Sequence, residues 1–556
     1  MTGTVPFGHA SRDKIFPTLR AGHVARIAAH GRTRQAEEGE VLFEPGDAGV
    51  AFYVVTRGML DLTTVDRSSE RLVTTLHPGE FTGETNLLSG RPVLVRGRLR
   101  TGGEVIEVER TALLGLVQTD PQLGEILMRA FLLRRVELIA QKIGDVVLVG
   151  SLHSAGTLRI QEFLTRNGHP HSYVDLDRDP HVQELLDSFR VRIEDVPIVI
   201  CRGSVVLKNP SNQDIADCLG FNAAIDQTQL RDVVIIGAGP AGLAAAVYAA
   251  SEGLDVLVIE ANAPGGQAGT SSMIENYLGF PMGISGKLLA SRAHDQAQKF
   301  GAQIMIARGA QRLACDRKPY ALEITNGTSR IPARTVIIAT GAEYRRLPLA
   351  NLARFEGSGV YYGATFIEAQ VCRGEPVIVV GGGNSAGQAA IYLAQTARRV
   401  HVIIRSEGLS SSMSRYLIRR IEENPRISLH THTEIVGLEG QEHLEQVEWR
   451  DKQTGVVERG DIRHVFLMTG AVPSTGWLQG CVILDEKRFI KTGPGLSREE
   501  LLAANWPLAR SPFLLETSLP GVFAIGDVRG GNIKRVASAV GEGSIAVAFV
   551  HQVLHE

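Results

Sequence analysis

At 556 residues the chain has room for about three or four domains. A formal net charge of −2, from 58 Lys and Arg against 60 Asp and Glu, leaves no basic arm for nucleic acid or an acidic membrane surface. The 5 cysteines include no C-x-x-C pair, which argues against a zinc ribbon or a disulfide scaffold. The start, MTGTVPFGHASRDKIF, carries charge early and lacks an apolar signal region, so a cytoplasmic protein is expected. The longest uncharged run, Val233 to Ser251, is split by Pro240 and by glycines, so no membrane span is expected there.

Taken in order, the region from Gly39 to Val117 alternates short apolar runs with glycines. Val41-Leu42-Phe43, Ala51 to Val55, Leu60-Asp61-Leu62, Leu72 to Leu76, Val93-Leu94-Val95 and Val105 to Val108 predict a small β-barrel or jelly roll. Helical patterns over Leu19 to Ala29 and Leu123 to Lys142 flank it. With Gly39-Glu40-x-x-Phe43, Gly46-Asp47, Gly58 and Gly83-Glu84, residues 1–143 resemble the cyclic-nucleotide-binding domain. In that family a cassette opening on Gly-Glu gives its Glu to the ribose hydroxyl and a later Arg to the cyclic phosphate. The resemblance therefore implies effector binding at Gly83 and Glu84, but the arginine's place falls on Val93 or Leu94. A phosphate buried without a cation is costly. Three readings stay open: a cyclic nucleotide with Arg91 or Arg96 substituting, another effector, or a domain serving assembly or regulation.

From Asp145 the period changes. Strands at Val146 to Val149, Tyr173 to Leu176 and Ile198 to Cys201, with helices at Thr157 to Asn167, His181 to Phe189 and near Gln213 to Cys218, are the expected elements of residues 144–225. This order, with Val196-Pro197 heading the third strand, resembles a glutaredoxin or thioredoxin domain, and the resemblance implies a cis peptide at Pro197. The family's dithiol belongs where this chain reads Gly150-Ser151-Leu152-His153-Ser154-Ala155-Gly156, and a hydroxyl cannot exchange with a disulfide. Cys201 and Cys218 remain as thiols, the ordinary reading of each being a small buried hydrophobe. The pairs His169/His171 and His430/His432 lack a visible third ligand, so no metal is expected.

The run Val233-Val234-Ile235-Ile236 enters Gly237-Ala238-Gly239-Pro240-Ala241-Gly242 and then an apolar helical stretch. That is the strand, turn and helix of a dinucleotide cradle: one glycine for the turn, one for close approach of a pyrophosphate, one for helix packing. A second strand, Val256 to Ile259, ends in Glu260, whose carboxylate suits the hydroxyls of an adenosine ribose. Gly265-Gly266-Gln267 and Ile274-Glu275-Asn276-Tyr277-Leu278-Gly279-Phe280 follow, then a strand closing on Ala339-Thr340-Gly341. A further strand and turn, Val377 to Val380 and Gly381-Gly382-Gly383-Asn384-Ser385-Ala386-Gly387, repeats the cradle, and Gly526-Asp527 with Lys534-Arg535-Val536 ends the pattern. Two cradles in one unit point to electron transfer between two dinucleotides.

In their order these motifs resemble the thioredoxin reductase family over more than half the chain. The resemblance implies a multidomain α/β protein with an FAD domain at 230–343 and 470–556 and a nicotinamide domain at 344–469. It implies FAD on Gly237 to Gly242, Glu260, Gly266, Gln267, Asn276, Thr340, Gly341, Gly526, Asp527, Lys534, Arg535 and Val536. It implies a nicotinamide dinucleotide on Gly381, Gly383, Asn384, Ser385 and Ala386, and a homodimer. Where the family carries its redox pair, this chain has Gly363 and Phe366, so electrons cannot leave by that disulfide. Cys372 nearby has the ordinary reading of a packed thiol. Arg405 at the end of the second cradle's next strand can hold a 2′-phosphate, favouring NADPH, with NADH open because Glu407 follows. The expected function is an FAD-dependent NAD(P)H oxidoreductase with an external acceptor: a thioredoxin-like protein, a ferredoxin or flavodoxin, or a small molecule. A redox sensor governed by an effector at the N-terminal domain is the alternative.

Overall fold

The structure is a computed structural model that describes residues 12–556 except 67–68, 142–143, 145, 152–153, 177–191, 193–194, 203–204, 326–329, 442 and 479. The helix expected over His181 to Phe189, and Leu152 and His153 of the dithiol position, lie outside the described residues.

Strands β1 (Arg32–Ala36), β2 (Val41–Phe43), β3 (Phe52–Asp66), β4 (Ser69–Leu76) and β5 (Arg96–Val108) form a sheet in the order β1-β5-β3-β4, with β2 also on β5. The runs at Phe52 and Leu60 are one long strand across Gly58, which takes φ +87 and could carry no Cβ beside the Thr101 carbonyl, 2.8 Å away. Val93-Leu94-Val95 is not a strand. Instead the Val93 N–H donates to the Asp47 carbonyl and its own carbonyl accepts from Gly46, and this loop hangs Val93 and Leu94 over the interior. The helix Pro121–Ala140, capped by the Asp120 carboxylate on the Leu123 N–H, closes the domain.

The next sheet, β7-β6-β8-β9, contains β6 (Val146–Gly150), β7 (Ser172–Asp175), β8 (Ile198–Cys201) and β9 (Val205–Lys208). Strands β6 and β7 are parallel and β8 and β9 antiparallel, and Val196-Pro197 is cis. Helices Ala155–Arg166 and Asn212–Cys218 belong to this unit.

The largest sheet runs β12-β11-β10-β15-β14-β13 with β26 on β15. Its strands are β10 (Arg231–Ile236), β11 (Val256–Glu260), β12 (Gln303–Ile306), β13 (Ala310–Ala314), β14 (Tyr320–Ile324), β15 (Arg330–Ile338) and β26 (Val522–Ala524). The all-apolar runs of β10 and β11 are buried on both faces, as parallel strands between helices require. The pair β16 (Ala342–Tyr344) and β25 (Ala471–Pro473) leads out to the other α/β unit and back. There β17 (Val360–Tyr361), β18 (Pro376–Val380), β19 (Arg399–Ile403), β20 (Ile427–His430) and β24 (His464–Leu467) form the sheet β17-β24-β18-β19-β20. A meander of β21 (Thr433–Glu439), β22 (Gln446–Asp451) and β23 (Val457–Gly460) sits beside it.

The last helix, Val536–His555, is long and apolar enough to cross a membrane. Its Ala546, Val547 and Val550 nonetheless lie in one core with Ala241, Ala245 and Ala249 of the helix Pro240–Ser251. Gly543 makes that contact possible, since a Cβ there would sit 2.6 Å from the Ala241 carbonyl oxygen.

One feature escaped the cysteine spacing. Cys315 and Cys481, 166 residues apart, form a disulfide that ties the end of β13 to the segment following β25.

Candidate functional site

The first cradle is built by steric exclusion. Gly237, at φ +102, faces the Ala339 carbonyl oxygen, 2.4 Å from where a Cβ would lie, and a Cβ on Gly242 would fall 1.9 Å from the Gly237 oxygen. At both positions any side chain would force β10, β15 and the helix apart. Gly239 differs: the nearest atom to a Cβ there is the Gly266 Cα at 3.9 Å. Space is kept open at the N-cap of the helix Pro240–Ser251, where free N–H groups and the helix dipole favour a phosphate.

Glu260 ends β11 inside this turn. Its carboxylate accepts from the Ala238 N–H at 2.8 Å and the Asn262 N–H at 2.9 Å. Burial raises its pKa, and the backbone donors at Ala238 and Asn262 pull it back down. Around it, Gly265 and Gly266 both take positive φ, and Gly266 crosses against Gly239. The Gln267 amide donates to the Ala342 carbonyl and the Thr340 hydroxyl to that of Ser474, 2.9 Å away. Asp527 follows β26, and burial raises its pKa. The Lys534 ammonium reaches its carbonyl at 3.3 Å, while Arg535 is the N-cap residue of the last helix, which begins at Val536. Asn276 is placed differently: it is exposed in its loop. Its neighbour Glu275 pairs with Arg420 of the other unit at 2.8 Å.

Two contributors were not singled out from the sequence. Glu542 accepts from the Gly526 N–H at 2.7 Å, from Asn532 at 2.8 Å and from Arg529, holding the Asp527 turn in shape. Arg166, in a different domain, donates to the Gly266 carbonyl at 2.9 Å. No spacing could signal a contact across 100 residues.

The second cradle repeats the first. Gly381, at φ +144, would place a Cβ 2.2 Å from the Met468 oxygen, while nothing lies within 4 Å of a Cβ at Gly383, the N-cap of the helix Asn384–Leu393. The Asn384 amide oxygen accepts from the Ser414 N–H at 2.7 Å, and Ala386 is fully buried. Arg405 is exposed just past β19.

A Cβ on Gly363 would lie 3.6 Å from that of Thr270, so the turn at the expected redox position faces the segment after Gln267. On its other side, Leu158 of the small domain packs in one cluster with Tyr361, Ala364 and Cys372. A Cβ on Gly357 would lie 2.7 Å from that of Ala155. The two places that would carry dithiols thus belong to units packed together, and among the described residues neither holds a cysteine. Cys372 is fully buried, and burial pushes its thiol up to about 12, which makes it inert. Cys201 is buried as well.

At the N-terminal domain neither substitute arginine reaches the cavity behind Glu84. Arg91 is buried over the Phe221 ring of the next domain at 4.4 Å, and Arg96 pairs with Glu44 and Glu70 on the sheet.

Two cradles, each with a glycine kept open at a helix N-terminus and joined by the β16 and β25 connection, define a two-dinucleotide oxidoreductase. The chain belongs to the pyridine nucleotide-disulphide oxidoreductase family, whose pattern matches residues 231–543, and residues 33–120 match the cyclic nucleotide-binding domain. It is 33% identical over 327 residues to a thioredoxin reductase of Ureaplasma parvum serovar 3, covering 58% of this chain and 97% of that protein. It is 33% identical over 315 residues to one of Treponema pallidum, covering 57% and 94%. The crystal structure of T. acidophilum thioredoxin reductase superposes with a TM-score of 0.52 at 28% identity, over 59% of this chain and 99% of that one.

Proposed function

We propose that the chain is an FAD-dependent oxidoreductase that takes hydride from NADPH and delivers electrons to an acceptor outside its own polypeptide. The carrying observation is the pair of cradles, in which a Cβ on Gly239 would meet no atom nearer than 3.9 Å and one on Gly383 none within 4 Å, leaving room where a pyrophosphate would lie. Gly237 to Gly242, Glu260, Gly266, Gln267, Thr340, Gly341 and Asp527 would hold FAD. Gly381, Gly383, Asn384, Ser385 and Ala386 would hold the nicotinamide dinucleotide, with Arg405 on its 2′-phosphate. Bound flavin supplies acceptance of a hydride and its release as electrons.

The protein's own part is placement. Glu260 spans two backbone N–H groups and so fixes the distance from β11 to the turn at Ala238. Glu542 does the same for the Gly526 turn, and Arg166 pins Gly266 from outside. No side chain is needed to move a proton at these positions. Gly363 cannot take electrons, and the small domain covers the outer side of that turn, which supports a small-molecule or one-electron acceptor over a free thioredoxin. Leu278 and Met282 are 93% and 88% exposed, an apolar pair that supports a homodimer.

The test is anaerobic mixing of the flavin-loaded protein with NADPH and then NADH, following the flavin absorbance. Rapid bleaching by NADPH is expected, and no bleaching by either dinucleotide would overturn the reading. A screen of acceptors with the reduced protein then separates ferredoxin, flavodoxin, thioredoxin-like proteins and small oxidants.

A further inference from the structure

The N-terminal domain holds a partly open cavity of about 70 Å³, independent of both cradles. One water occupies about 10–15 Å³ on that scale, so the space has room for more than a single water. Its wall is hydrocarbon: Phe43, Leu62, Val73, Leu87, Val93 and Leu94 all line it. Val93 and Leu94 occupy the place where the cyclic-phosphate arginine would stand, and neither side chain offers an anion a donor in exchange for its water.

Polar side chains also line it, Arg134 and Glu84 among them. Arg134 is 5% exposed. Its Nε donates to the Ile15 carbonyl at 2.9 Å and its Nη1 to that of Gly83 at 2.8 Å. Its guanidinium lies 4.6 Å from the ring centres of both Phe16 and Phe81. Its Nη2 is buried with no hydrogen-bond partner, and so is the Oε1 of Glu84. The other Glu84 oxygen is used, by Thr85 at 3.0 Å and by Arg135 at 3.4 Å. A buried donor and a buried acceptor thus stand unmet on residues that line a largely apolar space, each costing free energy until something satisfies it.

We propose that this cavity binds a compact, mostly hydrocarbon molecule with one neutral polar end that both accepts and donates a hydrogen bond, a hydroxyl of the phenol or alcohol kind. The oxygen accepts from Arg134 Nη2, the O–H donates to Glu84 Oε1, and the body replaces the void. A carboxylate satisfies Arg134 but meets Glu84 with like charge, and Glu137 also lines the cavity. A pure hydrocarbon fills the space but leaves both polar atoms unmet.

The test is calorimetric titration of the full-length protein with 4-ethylphenol, ethylbenzene, phenylacetate and cyclic AMP. One 4-ethylphenol per chain is expected, about tenfold tighter than ethylbenzene, with phenylacetate and cyclic AMP weaker than either. Leu94→Trp, which fills the cavity, should abolish the titration while the circular dichroism spectrum is unchanged. Glu84→Gln, which keeps shape but removes the charge, should bring phenylacetate up towards 4-ethylphenol. Absence of 4-ethylphenol binding, tighter binding of phenylacetate or cyclic AMP by the wild-type chain, or binding that survives Leu94→Trp would each overturn the proposal.

Discussion

The two dinucleotide cradles and the N-terminal cavity descend from sequence signatures of similar length, yet they reach opposite ends. In the cradles each glycine has a visible duty, and the open ones leave space beside free N–H groups at helix N-termini. In the cavity Gly83 and Glu84 keep their place, but the cation that would meet a phosphate is replaced by Val93 and Leu94. The comparison teaches that a turn motif specifies a backbone shape, whereas ligand chemistry depends on the side chains that other elements bring to it.

If the cradle glycines divide into those that hold the fold and those that hold the ligand, substitution must separate them. Gly242→Val is expected to have the largest effect, since its Cβ would lie 1.9 Å from the Gly237 oxygen. A loss of more than about 4 kcal/mol should leave little soluble protein and no flavin absorbance. Gly239→Val meets open space, so the far-ultraviolet circular dichroism should survive while flavin content falls to background. Gly239→Val protein that still purified yellow would end the division.

Glu260→Gln sharpens the same contrast at smaller scale. The amide has one acceptor oxygen for the two N–H groups of Ala238 and Asn262, leaving one buried donor unmet at about 1–3 kcal/mol. Denaturant titration should register that cost together with weaker flavin retention.

Arg405→Ala tests the second cradle's choice of dinucleotide. An exposed charge-assisted contact is worth about 1 kcal/mol, so KM for NADPH should rise about fivefold with kcat and the KM for NADH unchanged. Equal effects on both would remove Arg405 from the 2′-phosphate. The smallest effect is expected at Cys372. Burial holds its thiol near 12, so Cys372→Ala should leave turnover with external acceptors unaltered, and iodoacetamide at pH 8 should leave the native thiol unlabelled.

Much of the oxidoreductase half was legible in the chain because its contacts are local. Gly237, Gly242 and Glu260 act within a single strand-turn-helix-strand unit, so spacing alone locates them. Val93 to Val95 shows the limit, since an apolar triplet reads as a strand until its backbone is found bonded to Gly46 and Asp47. The Cys315 to Cys481 disulfide spans 166 residues, and no local pattern announces it.

By itself the sequence determined the order of the domains, both cradles and the lack of cysteines at 363 and 366, because each rests on residue type at short spacing. Only the tertiary structure decided that Arg166 pins Gly266, that the small domain lies against the Gly363 turn, and that neither Arg91 nor Arg96 lines the N-terminal cavity. Those outcomes depend on which surfaces are buried together, and burial is a property of the assembled chain that residue spacing does not encode.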